Sequence, residues 1–314
     1  MEASIVSQPP DHWSALCARH RSLFASIEWQ TLLHNAFDTV SYYVVAAEEE
    51  FSFAIQVFRK GVFKAAYINF PLGGTLGGHL PHASCIESLQ RHLTGDVQLI
   101  NLICSAFIQE EAGYMDTPVT LPESAITDLS NYRLLDNKKV RRDLKRAKQF
   151  GTQITTNTDP YHALTLYTLY KDTIIRHQGR IRYNLRYFQE LIHLARDSDW
   201  VHVFTASLDN RIIGFLVLIL HNDCAYYLHG ASDRAYAKHG VSDLLIAYAI
   251  EFAEDQGLDG FNLMASPADQ PSLIKYKEKW GATTQNQKHY QYFSHPGWKL
   301  AYRLGNSALN LLRG

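Results

Sequence analysis

Between Trp200 and Ser232 three strand-like runs follow one another, WVHVFTAS from Trp200, RIIGFLVLIL from Arg211 and CAYYLHGAS from Cys224. The middle run is apolar at all nine positions from Ile212 to Leu220. A run without alternation suits a strand buried on both faces, and it is far short of the roughly twenty residues that cross a bilayer. GVSDLLIAYAIEFAEDQG, from Gly240, has the spacing of an amphipathic helix. A short strand from Gly260 follows, then a lysine-rich turn or helix ending in IKYKEKWGA and a last strand near Lys288. Upstream of these runs the pattern predicts a strand over Thr152–Thr156 and helices from about Tyr161 to Arg176 and from about Asn184 to Arg196. Asp159-Pro160 starts the first of those helices, with proline at its first position.

The first part of the chain reads as helix, strand meander, helix and strand. Ile27, Leu32, Leu33 and Phe37 fall at helical spacing behind Ser26, a plausible N-cap. Strands are expected over Tyr42–Ala47, Phe51–Phe58 and Val62–Phe70, with turns at Glu48–Glu50 and Lys60-Gly61. A helix from His82 and a strand from Val97 complete it. PLGGTLGGHLPH, from Pro71, has glycines but no GK[ST], and Pro81 interrupts it, so it lacks the pattern of a phosphate cradle. It reads as a long flexible connection or as a loop that closes over a substrate. Residues 1–11, with Pro9-Pro10, read as a polar arm. No sequence repeat is visible, although both halves place a strand meander before a helix and a strand.

Composition keeps this within a globular class: of 314 residues 46% are hydrophobic and 19% charged, enough for two cores. A net charge of −1 gives no global attraction to nucleic acid or anionic membrane. Cys17, Cys85, Cys104 and Cys224 form no CxxC pair and read as reduced thiols of a cytosolic protein. His79 and His82 have an H-x-x-H spacing without a third ligand nearby, and no metal is expected. The stretch MEASIVSQPPDHW has neither a basic nor an apolar signal-peptide region.

One segment departs from the neutral balance. Lys138 to Lys148 holds seven basic residues and one acid, a local charge of +6. On a helix ending near Gly151, Val140, Leu144 and Ala147 line one side, and Lys138, Arg141, Arg142, Lys145 and Lys148 line the other. This is either a solvated face or a patch for a phosphate-bearing ligand.

The order of elements in the second half resembles the GNAT acyltransferase fold. KKVRRDLKRAKQFG, the block from Tyr226 to Ser266 and LIKYKEKWGA together resemble the FemABX and BioF2-like families, which pair two GNAT-like lobes. The resemblance spans roughly Ser26 to Phe293. It implies an α+β chain of two lobes, each a mostly antiparallel twisted sheet flanked by helices. The lobes are expected at 1–130 and 131–295. Residues 296–314 are expected to form an amphipathic helix that packs back on the first lobe; peripheral membrane contact is a second reading of it. In FemABX-type enzymes, which use an aminoacyl-tRNA, the signature lysine lies on the donor side of the active site, and Lys277 matches it. Tyr276 accompanies it as a substrate-binding candidate. The family's acceptor-phosphate arginine has Arg180 and Arg182 as its nearest matches. Its first-lobe lysine has no counterpart after Trp29, where only His34 is close.

Amide formation from an ester or thioester needs a neutral, aligned amine and a stabilised oxyanion, so no nucleophilic triad is required. His229 is a candidate base for the amine, or a core histidine. Gly230 and Ser232 lie where the fold usually exposes backbone donors to the acyl carbonyl. The expected reaction is transfer of an aminoacyl group from aminoacyl-tRNA to an amine on a small molecule or peptide, in the cytoplasm, by a monomer or dimer that binds no DNA and needs no cofactor beyond its co-substrate. An acyl-CoA donor is the alternative, but RAYAKHGVSDLL keeps only Gly240 of the usual pyrophosphate loop and places Asp243 in the first helical turn. A lobe pair that binds a ligand without chemistry is the third reading.

Overall fold

The computed structural model describes residues 3–93, 95–108, 110, 112–115, 119–134 and 137–302. The chain divides into two compact units, one of residues 1–120 with 287–314 and one of residues 121–286.

Unit 1 begins with a strand, β1 (Ala3–Val6), where the sequence suggested a polar arm. Four residues with no alternation to read gain strand geometry from antiparallel pairing with β2. Helices α1 (Trp13–Arg19) and α2 (Ile27–Phe37) follow. Ser26 caps α2 by accepting the Trp29 N–H, a bond of a kind worth about 1 kcal/mol. The meander is β2 (Val40–Ala46), β3 (Phe53–Lys60) and β4 (Phe63–Ile68); helix α3 (Ala83–Leu93) then leads to β5 (Leu99–Cys104). Strand alternation separates two cores. Val44 and Ala46 join Cys85, Ile86 and Leu89 of α3, while Tyr43 meets Trp13 edge-on from α1. The expected C-terminal helix is described only as far as Tyr302, and Trp298 and Tyr302 lie against Phe63; residues 303–314 lie outside the described residues.

Strands β4 and β5 are parallel and pair only through Ala65, Ala66 and Tyr67 with Leu99, Ile100 and Asn101. The Gly-rich loop takes the next position and is packed there, which corrects the reading of it as a flexible connection. Gly73 bridges to Cys104 and donates its N–H to Ile103 O, while Leu76 and Gly77 donate to Ser52 O and Glu50 O at 2.8 Å. Leu72 and Leu76 are buried. The loop is thus a packed plug between two parting strands. Its glycine allows close backbone approach: a Cβ at Gly73 would lie 2.6 Å from Leu102 Cδ1 and 3.1 Å from Ile103 N.

Unit 2 runs β6 (Val119–Ile126), α4 (Lys138–Lys148), β7 (Gln153–Thr156), α5 (Ala163–Arg176), α6 (Leu185–Asp197), β8 (Val201–Leu208), β9 (Arg211–His221), β10 (Cys224–Ser232), α7 (Val241–Asp255), β11 (Gly260–Ala265) and α8 (Pro271–Glu278). The last strand, β12 (Thr283–Phe293), starts in unit 2 and ends in unit 1. Within unit 2 the sheet order is β12-β6-β11-β10-β9-β8-β7; β10 and β11 pair parallel, and β6 with β11, β10 with β9, β9 with β8 and β8 with β7 pair antiparallel. Helices α5 and α6 pack on one face of this sheet, and α7, with α4 upon it, packs on the other. No described helix is long and apolar enough to cross a membrane.

The plug yields a stability prediction. Gly73→Ala should destabilise the protein by about 1–3 kcal/mol in urea or thermal denaturation, the usual range for overpacking. Gly113→Ala, where a Cβ would meet nothing within 4 Å, should leave the midpoint unchanged. Equal midpoints for the two variants would show that the loop yields freely.

Candidate active site

Strands β10 and β11 pair through three residues only: Cys224, Ala225 and Tyr226 with Gly260, Phe261 and Asn262. Beyond that point both are irregular. The β10 register with β9 shifts between Tyr227 and His229, and the β11 register with β6 shifts between Asn262 and Ala265. From Tyr227 to Ser232 the edge of β10 that faced β11 therefore has no strand partner. Such an edge offers backbone donors and acceptors to an extended ligand.

Lys277 reaches this gap from α8. Its residue is 5% exposed, and its Nζ donates to Met264 O at 2.8 Å and Ala265 O at 3.3 Å. Burial pulls the ammonium down to about 8, and the nearby Glu123 carboxylate works in the opposite direction. At neutral pH the group carries a charge in a largely water-free setting, where one charge acts strongly on a polarised carbonyl.

His229 lies on β10, across the gap, among side chains of α5 and α6. Tyr170, Tyr183, Tyr187 and Phe188 ring it with centroids 4.6 to 6.0 Å away, and its Nε2 shares a 3.0 Å hydrogen bond with Tyr187 Oη. Burial pushes the imidazole down to about 3. At neutral pH it holds no added proton and is a feeble base. Gly230 is crowded, since a Cβ there would fall 1.8 Å from Tyr227 Oη. Ser232 shares a 3.2 Å hydrogen bond with Ser242 and lines an open cleft of about 720 Å³ beside α5, with Asp172, Arg176 and Arg234. Lys277 does not line that cleft.

Arg180 and Arg182 are exposed on the loop between α5 and α6. The loop is anchored by the Arg182 N–H on Tyr170 Oη and by the Tyr183 ring against His229. His34 shares a hydrogen bond with Thr39 O at the end of α2. His79 pairs with Glu110, and among the described residues no group of three or more His, Cys, Asp or Glu side chains is placed to hold a metal ion. All four cysteines are free thiols, and burial pushes Cys224 up to about 12.

The N-terminus of α7 is where the sequence left the donor question open. Gly240 adopts φ +63°, and a Cβ there would lie 2.9 Å from Ala147 Cβ, so α4 packs directly onto this turn. His239 stacks on Phe150 at 4.2 Å. Asp243 accepts Tyr276 Oη at 2.8 Å and Lys279 Nζ at 2.9 Å, and Lys279 also reaches Asp143 of α4 at 3.6 Å. Burial and the Asp243 charge keep the Tyr276 hydroxyl protonated well above its ordinary range. With Val140, Leu144 and Ala147 buried, Lys138, Arg141, Arg142, Lys145 and Lys148 all stand exposed.

Sequence reasoning missed Glu123, Asn262 and Lys279. Glu123 and Asn262 lie in strands buried on both faces, and Lys279 follows α8, so a rule that sends charge outward passes over them.

The buried ammonium has a measurable signature. Between the folded value of about 8 and the ordinary lysine value of 10.5, the unfolded chain keeps a proton that the folded chain has released. Stability gained from Lys277 therefore rises with pH across that window, by roughly 3 kcal/mol in all. Below it both states are protonated and the full burial cost remains. Across the same window wild type should gain stability relative to Lys277→Met as pH rises. Parallel curves would mean that Lys277 titrates like an exposed lysine.

Comparison with known proteins places this geometry. Residues 136–278 match the model described as an acetyltransferase (GNAT) domain. No protein of curated function matches the sequence significantly. Among solved structures, FemX is 12% identical, with 96% of this chain and 99% of that chain covered at a TM-score of 0.68. L-PGS from Bacillus licheniformis is 13% identical, with 96% and 98% covered at 0.63. A tandem GNAT protein from the clavulanic acid biosynthesis pathway is 12% identical, with 94% and 99% covered at 0.54. Residues 136–278 thus resemble a GNAT acetyltransferase domain, and the chain as a whole has a tandem GNAT-like fold similar to those of FemX and L-PGS.

Proposed function

We propose that the chain transfers an aminoacyl group from aminoacyl-tRNA to an amine acceptor, forming an amide bond in the gap between β10 and β11. The observation that carries the donor assignment is the packing of α4 onto the start of α7. A CoA diphosphate would need free N–H groups at that helix terminus. There Ala147 lies on Gly240, and Asp243 places a carboxylate, held by Tyr276 and Lys279, in the first turn, where a diphosphate would meet like charge. The same helix turns seven basic side chains outward, and a nucleic-acid backbone meets several such charges at once. The likeness to FemX and to L-PGS supports this reading by fold.

Transfer begins with the donor ester lying along the unpaired edge of β10, its carbonyl near Lys277. The acceptor amine, as the free base, attacks the carbonyl carbon. The C–N bond forms, the Lys277 ammonium stabilises the oxyanion, and the intermediate collapses with loss of the tRNA ribose oxygen as leaving group. The proton released by the amine nitrogen is carried off by the departing ribose hydroxyl or by water. His229, a weak base held by Tyr187, serves to shape the wall of the site. Arg180 and Arg182 are placed on an exposed loop that an anionic acceptor would reach.

Reversing Arg141, Arg142 and Lys145 to glutamate should raise KM for aminoacyl-tRNA and lower its salt dependence by about two to three in log–log slope. Lys277→Met should lower kcat by about a hundredfold or more, as loss of an oxyanion partner does. Steady-state kinetics at several salt concentrations read both. An unchanged KM and slope in the triple variant would remove tRNA from α4, and a normal kcat in Lys277→Met would remove that residue from the site.

A further inference from the structure

Glu123 is a charged side chain with no exposure at all, and the transfer chemistry above gives it no task. It lies on β6 opposite Ala265, at the place where the β11 register shifts. Asn262 donates its Nδ2 to Glu123 Oε1 at 2.9 Å and accepts the Met264 N–H on its Oδ1 at 2.7 Å. Met264 has φ +63°, a left-handed conformation that residues with side chains rarely adopt. The carbonyls of Met264 and Ala265 are those that accept Lys277 Nζ. Carboxylate, amide, bulged backbone and ammonium thus form one connected arrangement. A strained backbone at such a place persists only where its surroundings fix it.

We propose that Glu123 is a positioning residue: with Asn262 it fixes the bulged end of β11 and holds Lys277 at the strand gap as an ammonium. This rests on the reading of Lys277 as the group that stabilises the oxyanion. A buried lysine tends to lose its proton, and an opposite charge nearby keeps it. Glu123 is the acid that acts on Lys277 in this way. On β10, Tyr226 and Cys224 are both held protonated by burial, and both feel the Glu123 charge. On α8, the Tyr276 hydroxyl is neutral and donates to Asp243 of α7, which also takes Lys279. Lys275 and Glu278, on the same helix as Lys277, are exposed. A glutamate with only a structural task would change stability when replaced. A positioning glutamate also changes the proton affinity of Lys277.

The test is an NMR titration of protein labelled with 13Cε,15Nζ-lysine, the Lys277 signal being identified by its loss in Lys277→Arg. Glu123→Gln keeps an oxygen for Asn262 and removes the charge. The Lys277 midpoint, about 8 in wild type, should fall by about one pH unit or more. The alkaline limb of kcat should move the same way while KM for the donor stays within about twofold. If Glu123→Gln does not fold, Glu123→Asp withdraws the charge by one methylene and should lower the midpoint by less. An unchanged Lys277 midpoint in whichever variant folds overturns the proposal. The titration needs no donor. A shifted midpoint in a protein inactive with aminoacyl-tRNA would therefore support the positioning role and overturn only the donor assignment.

Discussion

Past Tyr226 and Asn262 the backbones of β10 and β11 stop pairing, and each polar group left without a strand partner must be met by something else. In unit 2 part of that demand is met by a side chain, since Lys277 takes the carbonyls of Met264 and Ala265. The facing edge of β10 is left without a strand partner. Unit 1 has the same kind of parallel pair, β4 with β5, and meets the demand with its own chain through Gly73 and the loop behind it. The two units thus share a device and use it differently. One closes its gap with a plug, and the other keeps a gap with a charge at its edge.

Charge is distributed around that gap with little redundancy. The ammonium of Lys277 is costly to bury, and the Glu123 charge offsets part of the cost. A second, half-buried lysine, Lys279, bonds Asp243 and reaches Asp143, tying α8 and α4 to the first turn of α7. That tie draws one sign of charge inward and leaves the exposed side of α4 uniformly basic. The packing of Ala147 against Gly240 and the outward basic face are two results of one helix–helix contact.

The strand meanders and most helices were legible because apolar runs and caps mark them locally: Ser26 before α2, Asp159-Pro160 before α5, the unbroken run of β9. The buried stripe of α4 followed from the spacing of Val140, Leu144 and Ala147. Strand β1 was not legible, because four residues form a strand only when β2 is there to pair. The loop from Pro71 misled for a related reason. Glycine content signals mobility in a free chain, whereas Gly73 serves close approach to Ile103. Lys277 was found through a resemblance, since a lysine in IKYKEKWGA is by pattern a surface residue. Glu123 had no signal of its own, because its importance comes from which strand lies beside it.

In the proposed function unit 2 takes its acyl group from a macromolecular donor, and CoA has no seat there. Amide formation by the wild-type protein, followed side by side with aminoacyl-tRNA and with acyl-CoA over the same set of amines, tests it most directly. Turnover with aminoacyl-tRNA should fall steeply as salt rises, and acyl-CoA should give none above background. Saturable turnover of acyl-CoA, with aminoacyl-tRNA inert, would contradict it.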